Sequence, residues 1–148
     1  NHTSNFDAPL LISATKRNVH FLAKKELWDG PKKIIFANMG LIPVDRKNKD
    51  GNALIMAERY LKNEKLIGIF PEGTTEKTGE MLKFKKGTVK MAVDTDSPIV
   101  PFVITGKYKL FSKDLTIKFL EPIKCNGDIK EETERLMNII KKERENLR

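Results

Sequence analysis

The sequence predicts an α/β fold, one domain over residues 1–148 with a mostly parallel central sheet flanked by helices. Three observations predict it. Short apolar runs alternate along the chain with segments of helical periodicity, the order expected when helices connect parallel strands. The run Leu66, Ile67, Ile69 and Phe70 reads as a buried strand, and so does Ile99 to Thr105. The first of these breaks abruptly into a polar loop holding Pro71 and Gly73, and in open α/β sheets ligands sit at the carboxyl ends of strands.

Each element has a local reason. Asp7, Ala8 and Pro9 start a helix, since proline in the first turn gives up an N–H that has no partner there. That helix runs to about Ser13. Asn18 to Ala23 is a short buried strand, and Glu26 to Trp28 a helical turn. A second helix restarts at Pro31, with Ile34, Ile35 and Phe36 on its apolar side and Gly40 as its stop. Leu41 to Asp45 is extended and leads into Arg46, and residues 47–52 are polar turn material. Ala53, Leu54, Ala57, Tyr60 and Leu61 then form one face of an amphipathic helix closed by Asn63. After the strand at Lys65 to Phe70, a short helix at Thr88 to Asp94 turns Val89, Ala92 and Val93 to one side. Pro101 inside the Ile99–Thr105 run marks an edge, a bulge or a strand end. Leu115 to Leu120 alternates and pairs antiparallel with it. Asp128 and Glu131 have the spacing of a capping box and open a C-terminal helix with Leu136, Ile139, Ile140 and Leu147 on one side.

Composition narrows the function classes. Lys and Arg number 28 against 20 Asp and Glu, a net charge of +8, which suits a phosphate-bearing ligand, an anionic membrane surface or nucleic acid, or simply a solvated lysine-rich face. Aromatics are only 7% of the chain and fall mostly in predicted strands, which argues against a nucleic-acid surface. Cys125 is the single cysteine, so an intrachain disulfide and a cysteine-rich zinc site are excluded, and no metal site is expected. No apolar run approaches the roughly 18 residues of a spanning helix.

Two stretches carry candidate chemistry. His2 stands five positions before Asp7. An imidazole can take a proton from a hydroxyl, and a carboxylate on its other nitrogen fixes the tautomer. The same segment, with Asn1, Thr3, Ser4, Asn5 and Asp7, also reads as an ordinary helix cap. The second stretch, Phe70 to Thr75, runs from a buried strand into proline, an acid and glycine; it is either a ligand loop or a plain strand-ending turn. His20 lies within an apolar strand and reads as a structural histidine. Lys83, Phe84, Lys85 and Lys86 read as a solvated face, with a membrane or phosphate contact through Phe84 as the alternative. If the His2–Asp7 loop also lies at a strand end, a further strand is expected ahead of it.

Taken in order, His2 with Asp7, then Gly40 to Arg46, then Phe70 to Thr74, then Ile99 to Phe102 resemble the four motifs of the glycerolipid acyltransferase family, of which the 1-acyl-sn-glycerol-3-phosphate acyltransferases are best known. The resemblance implies a glycerol-3-phosphate acyltransferase-like fold and O-acyl transfer to the free hydroxyl of a lysophospholipid acceptor in phospholipid biosynthesis. Acyl-CoA or acyl-carrier protein would serve as co-substrate, with no further cofactor. It implies that His2 is the general base, Asp7 its orienter and Arg46 the contact to the acceptor's phosphate. Glu72, Gly73 and Thr74 would shape the acceptor site, and Pro101 the acyl or donor side. It implies work at the cytoplasmic face of a membrane, on an anionic surface, with no nucleic acid as partner. Thr75 stands where the family usually has arginine; Lys77, Lys83, Lys85 or Lys86 could supply the charge without the bidentate fork, which leaves other acceptors, glycerol-3-phosphate among them, open. The family also usually carries a preceding apolar segment, so a fragment is expected. No serine or cysteine elbow is visible, which favours direct transfer over an acyl-enzyme.

Overall fold

The computed structural model describes residues 2, 4, 6–28, 40–44, 52–74, 80–106, 108 and 114–147. Within the α/β domain the contacts group into two compact units, residues 8–69 and residues 1–7 with 70–148. The helix predicted from Pro31, the turn at residues 47–51, Arg46 and Thr75 lie outside the described residues.

The 8–69 unit is built on a parallel three-stranded sheet. Strand β1 (Val19–Lys24) is central. It pairs with β2 (Ile42–Val44), Leu22 opposite Ile42, and with β3 (Leu66–Gly68), Val19 opposite Leu66. Val19, Phe21 and Ile42 are buried, as expected for a parallel sheet covered by helices. Gly68 belongs there because a Cβ would come within 2.4 Å of the Phe21 ring and 2.8 Å of Val19, so only glycine lets β3 approach β1 so closely. Helix α1 covers Asp7–Ser13 and a 3₁₀ turn covers Lys25–Trp28. Helix α2 (Asn52–Lys62) packs on β2 and β3 with Ala57 fully buried on its predicted apolar face. The predicted structural role of His20 is borne out: its Nδ1–H donates to the Gly40 carbonyl at 2.9 Å, and its ring meets the edge of Tyr60.

The other unit has helices α3 (Gly87–Asp94) and α4 (Ile129–Asn146) and an antiparallel pair, β4 (Phe102–Thr105) with β5 (Thr116–Phe119). The pairing of Phe102 with Phe119 continues through Leu120 N–H to the Pro101 carbonyl and a bridge from Ile99 to Ile123. Pro101 therefore stands just before the strand, since it has no N–H to give the ladder. The core joins Phe84, Val89, Val103, Cys125, Leu136 and Ile140. Phe84 points inward while Lys83, Lys85 and Lys86 are exposed, so the solvated-face reading of that run holds and Phe84 is unavailable for a membrane contact. Asp128 caps α4 by accepting the N–H groups of Lys130 and Glu131. The carboxylate that reaches back is Glu132, toward Asn126 and Gly127, one residue later than the capping-box pattern predicts. The buried face of α4 is Thr133, Leu136 and Ile140.

Candidate active site

The site lies within the 1–7 and 70–148 unit and starts from a turn. Asp7 N–H donates to the Ser4 carbonyl at 3.1 Å, and Ser4 N–H donates back to Asp7 Oδ2 at 2.9 Å. This local exchange is the helix-cap chemistry that the sequence suggested. It also turns the carboxylate toward His2, whose Nδ1 lies 2.9 Å from Asp7 Oδ2. A carboxylate without a proton only accepts, so Nδ1 carries the hydrogen and the basic lone pair belongs to Nε2. The contact to the Ser4 N–H and the contact to the His2 imidazole thus meet on one residue, Asp7.

Asp7 is fully buried. Burying a charge is costly unless donors surround it, and a third donor comes from far along the chain: Tyr108 gives its phenol hydrogen to Asp7 Oδ1. Burial raises the Tyr108 phenol pKa well above its ordinary value, and the hydrogen bond and charge of Asp7 raise it further. Tyr108 thus remains a neutral donor throughout the working pH range.

Glu72 is also buried, with 4% of its surface exposed. Its Oε1 accepts the backbone N–H of His2 at 2.9 Å and its Oε2 accepts that of Leu82 at 3.0 Å. The loop that carries it is tight: Gly73 N–H donates to the Phe70 carbonyl at 3.0 Å, and Gly73 has φ of 72°, a region open to glycine and strained for other residues. The Lys85 side chain lies over Gly73, its Nζ 2.4 Å from where a Cβ would stand, and Lys85 N–H donates to the Pro71 carbonyl at 2.8 Å. The imidazole of His2 stacks on Phe70, with centroids 4.1 Å apart and planes 16° apart. Phe70 meets Phe102 edge-on at 5.9 Å, and Phe102 meets Phe119 at 6.2 Å, so an aromatic series runs from the imidazole to the β4–β5 pair.

Of the residues expected from sequence, the structure gathers His2, Asp7 and Glu72. Gly73 and Thr74 are exposed beside Glu72. Pro101 is buried at the start of β4, next to the Phe102 that touches Phe70. Arg46 lies outside the described residues. Sequence reasoning missed Tyr108, which is 101 positions from Asp7 and belongs to no pattern. It also missed the stacking role of Phe70, although that residue was part of a quoted motif. Among the described residues no cluster of His, Cys, Asp and Glu could hold a metal ion.

An imidazole held through Nδ1 by a buried carboxylate is able to accept a proton at Nε2. The chain belongs to the acyltransferase family, whose model matches residues 1–105. A 1-acyl-sn-glycerol-3-phosphate acyltransferase of Cocos nucifera is 32% identical over 141 residues, covering 85% of this chain and 45% of the relative. The beta form from Homo sapiens is 32% identical over 139 residues, covering 86% of this chain and 50% of its own. The crystal structure of the 1-acyl-sn-glycerophosphate (LPA) acyltransferase PlsC from Thermotoga maritima matches with a TM-score of 0.78 at 31% identity, over 99% of this chain and 64% of that one. This chain spans about half the length of the curated relatives it matches.

Proposed function

We propose that the protein transfers an acyl group from a thioester, acyl-CoA or acyl-carrier protein, to the free hydroxyl of 1-acyl-sn-glycerol-3-phosphate. The observation that carries this reading is the 2.9 Å contact of His2 Nδ1 with a fully buried Asp7. Membership of the family and the names of the relatives support the acceptor class.

In the proposed step, Nε2 of His2 takes the proton of the acceptor hydroxyl as its oxygen attacks the thioester carbonyl carbon. Asp7 stabilises the imidazolium that forms. The tetrahedral intermediate collapses with cleavage of the carbon–sulfur bond, and the departing thiolate takes the proton back from His2. The products are the diacyl phosphate ester and a free thiol, and the base is regenerated. Glu72 holds the backbone of His2 in place beneath this chemistry. The family resemblance gives Arg46 the acceptor's phosphate, and Lys85, poised over Gly73, is a cation at the Glu72 loop. The +8 net charge suits an anionic membrane surface where such acceptors reside.

The test is acyl transfer from acyl-CoA to lysophosphatidate by the full-length protein, compared with the His2→Ala variant and a panel of other phosphate-bearing acceptors. Turnover lost in the variant with binding of the acceptor retained is the expected result. Undiminished turnover would remove His2 from the mechanism, and preference for another acceptor would replace the substrate while keeping the chemistry.

A further inference from the structure

We propose that Tyr108 is a positioning residue for the His2–Asp7 pair, its phenol holding the far oxygen of Asp7 so that the near oxygen stays aimed at the imidazole. The proposal rests on the acyl-transfer reading of this pair. Among the described residues, His2 Nδ1–H and Ser4 N–H both reach Asp7 Oδ2, and the Tyr108 hydroxyl reaches Oδ1. A carboxylate rotates readily about its terminal torsion, which is broad and roughly two-fold. Ser4 N–H and His2 on one oxygen do not by themselves stop the group from turning. A donor fixed on the opposite oxygen does, because rotation would break both ends together.

The placement of Tyr108 supports a dedicated role. It follows β4 directly, past Gly106, and its ring meets Phe6 at 6.0 Å. The contact therefore draws a residue from the far end of the unit's sheet pair onto the first turn of the chain. It is a neutral donor to a buried charge, and burial keeps it protonated. A neutral donor has a specific electrostatic consequence: it withdraws part of the Asp7 charge without cancelling it. Glu72, which accepts the His2 backbone N–H, and Lys85, above Gly73, are further titratable side chains at this loop; neither is altered by a change at position 108.

The experiment uses the full-length protein and Tyr108→Phe, which keeps the ring against Phe6 and removes only the hydroxyl. The loss of one hydrogen bond to a charged group should lower kcat about tenfold, with KM for acceptor and donor unchanged. Nitrogen NMR of the His2 imidazole, assigned with His2→Gln, should show the Nδ1–H tautomer dominant in the wild type and mixed with the Nε2–H tautomer in Tyr108→Phe. A purely structural role would leave the tautomer as it is. Unchanged kcat and an unchanged tautomer in Tyr108→Phe would overturn the proposal, as would a raised acceptor KM at constant kcat, which would make Tyr108 a substrate contact. If no variant, wild type included, transfers acyl groups, the reaction assignment fails while the NMR tautomer still decides the coupling of Tyr108 to His2.

Discussion

Glu72→Gln separates two jobs that a loop carboxylate can have, shaping a substrate site or holding the base. Both carboxylate oxygens accept backbone N–H groups, from His2 at 2.9 Å and Leu82 at 3.0 Å, and the side chain is 4% exposed. Glutamine keeps one acceptor and places an NH₂ against the other donor. A hydrogen bond to a charged acceptor contributes about 1.5–3 kcal/mol, and a buried N–H left unmatched costs about 1–3 kcal/mol. The second bond also weakens, because its acceptor is now neutral. The expected loss is about 2–4 kcal/mol, which a domain of about 5–15 kcal/mol survives. With a urea slope of about 2 kcal/mol per M, the unfolding midpoint should fall by about 1–2 M.

The kinetic consequence follows from which atom moves. Losing the Glu72 anchor frees the His2 backbone, and a displacement of about 1 Å at a catalytic group costs up to about a hundredfold in rate. The expected pattern is kcat down ten- to a hundredfold, acceptor KM near its original value and a lower urea midpoint. Steady-state kinetics at varied acceptor and equilibrium unfolding of the same preparation measure all three. Full stability and full kcat, with KM for the acceptor raised, would refute the reasoning and return Glu72 to the acceptor site.

Three further outcomes follow from the same structure. Asp7→Asn should lower kcat by about 10³–10⁴, by removing the carboxylate that fixes the tautomer and compensates the imidazolium, with substrate affinity measured separately to show that binding survives. Leu136→Ala, in the core under α4 and 2% exposed, should cost about 2–5 kcal/mol in urea unfolding while leaving kcat of the folded fraction intact. Burial first, and then the charge and hydrogen bond of Glu132, push the Cys125 thiol above its ordinary pKa. The folded state thus favours the protonated thiol, so its contribution is fully present below the unfolded thiol pKa of about 8.5 and is lost as pH rises above it. Urea midpoints of wild type and Cys125→Ala should accordingly differ in slope only above that pH.

What could be read in the sequence divides along the range of the interactions. The helix at Asp7, the face of α2 through Ala57, the strand before Pro71 and the antiparallel partner of β4 were legible because capping, periodicity and turn chemistry act over a few residues. His2 and Asp7 were legible for the same reason: their contact spans five positions. The contacts that complete the site span 70 positions for Glu72 and 101 for Tyr108, and no local pattern encodes them. Glu72 was visible as a residue but its contacts to the His2 and Leu82 amides were not, since a loop carboxylate looks the same in sequence whether it faces a ligand or a backbone amide. Phe84 could be read two ways, because a lysine run fixes exposure for its charges alone while the core claims the ring between them.

Three restraints on His2 act on different degrees of freedom. Glu72, through the backbone N–H, fixes where the residue stands. Phe70, stacked at 16°, fixes the plane of the ring. Asp7, through Nδ1, fixes rotation within that plane and decides which nitrogen carries the hydrogen. With position, plane and rotation set, the direction of the Nε2 lone pair is set too, and that direction is what proton transfer requires of a base. None of these restraints depends on neighbouring residues forming a helix or strand around His2, which is itself in irregular backbone. His2, outside regular structure, is thereby held by partners in three other segments: the Phe70–Glu72 loop, the head of α1 and Tyr108 behind Asp7. The arrangement concentrates buried charge, Asp7 and Glu72 together, where an apolar core would be more stable. That cost is offset by backbone donors on Glu72 and by backbone and side-chain donors on Asp7, and the result is an imidazole whose orientation is fixed by its surroundings.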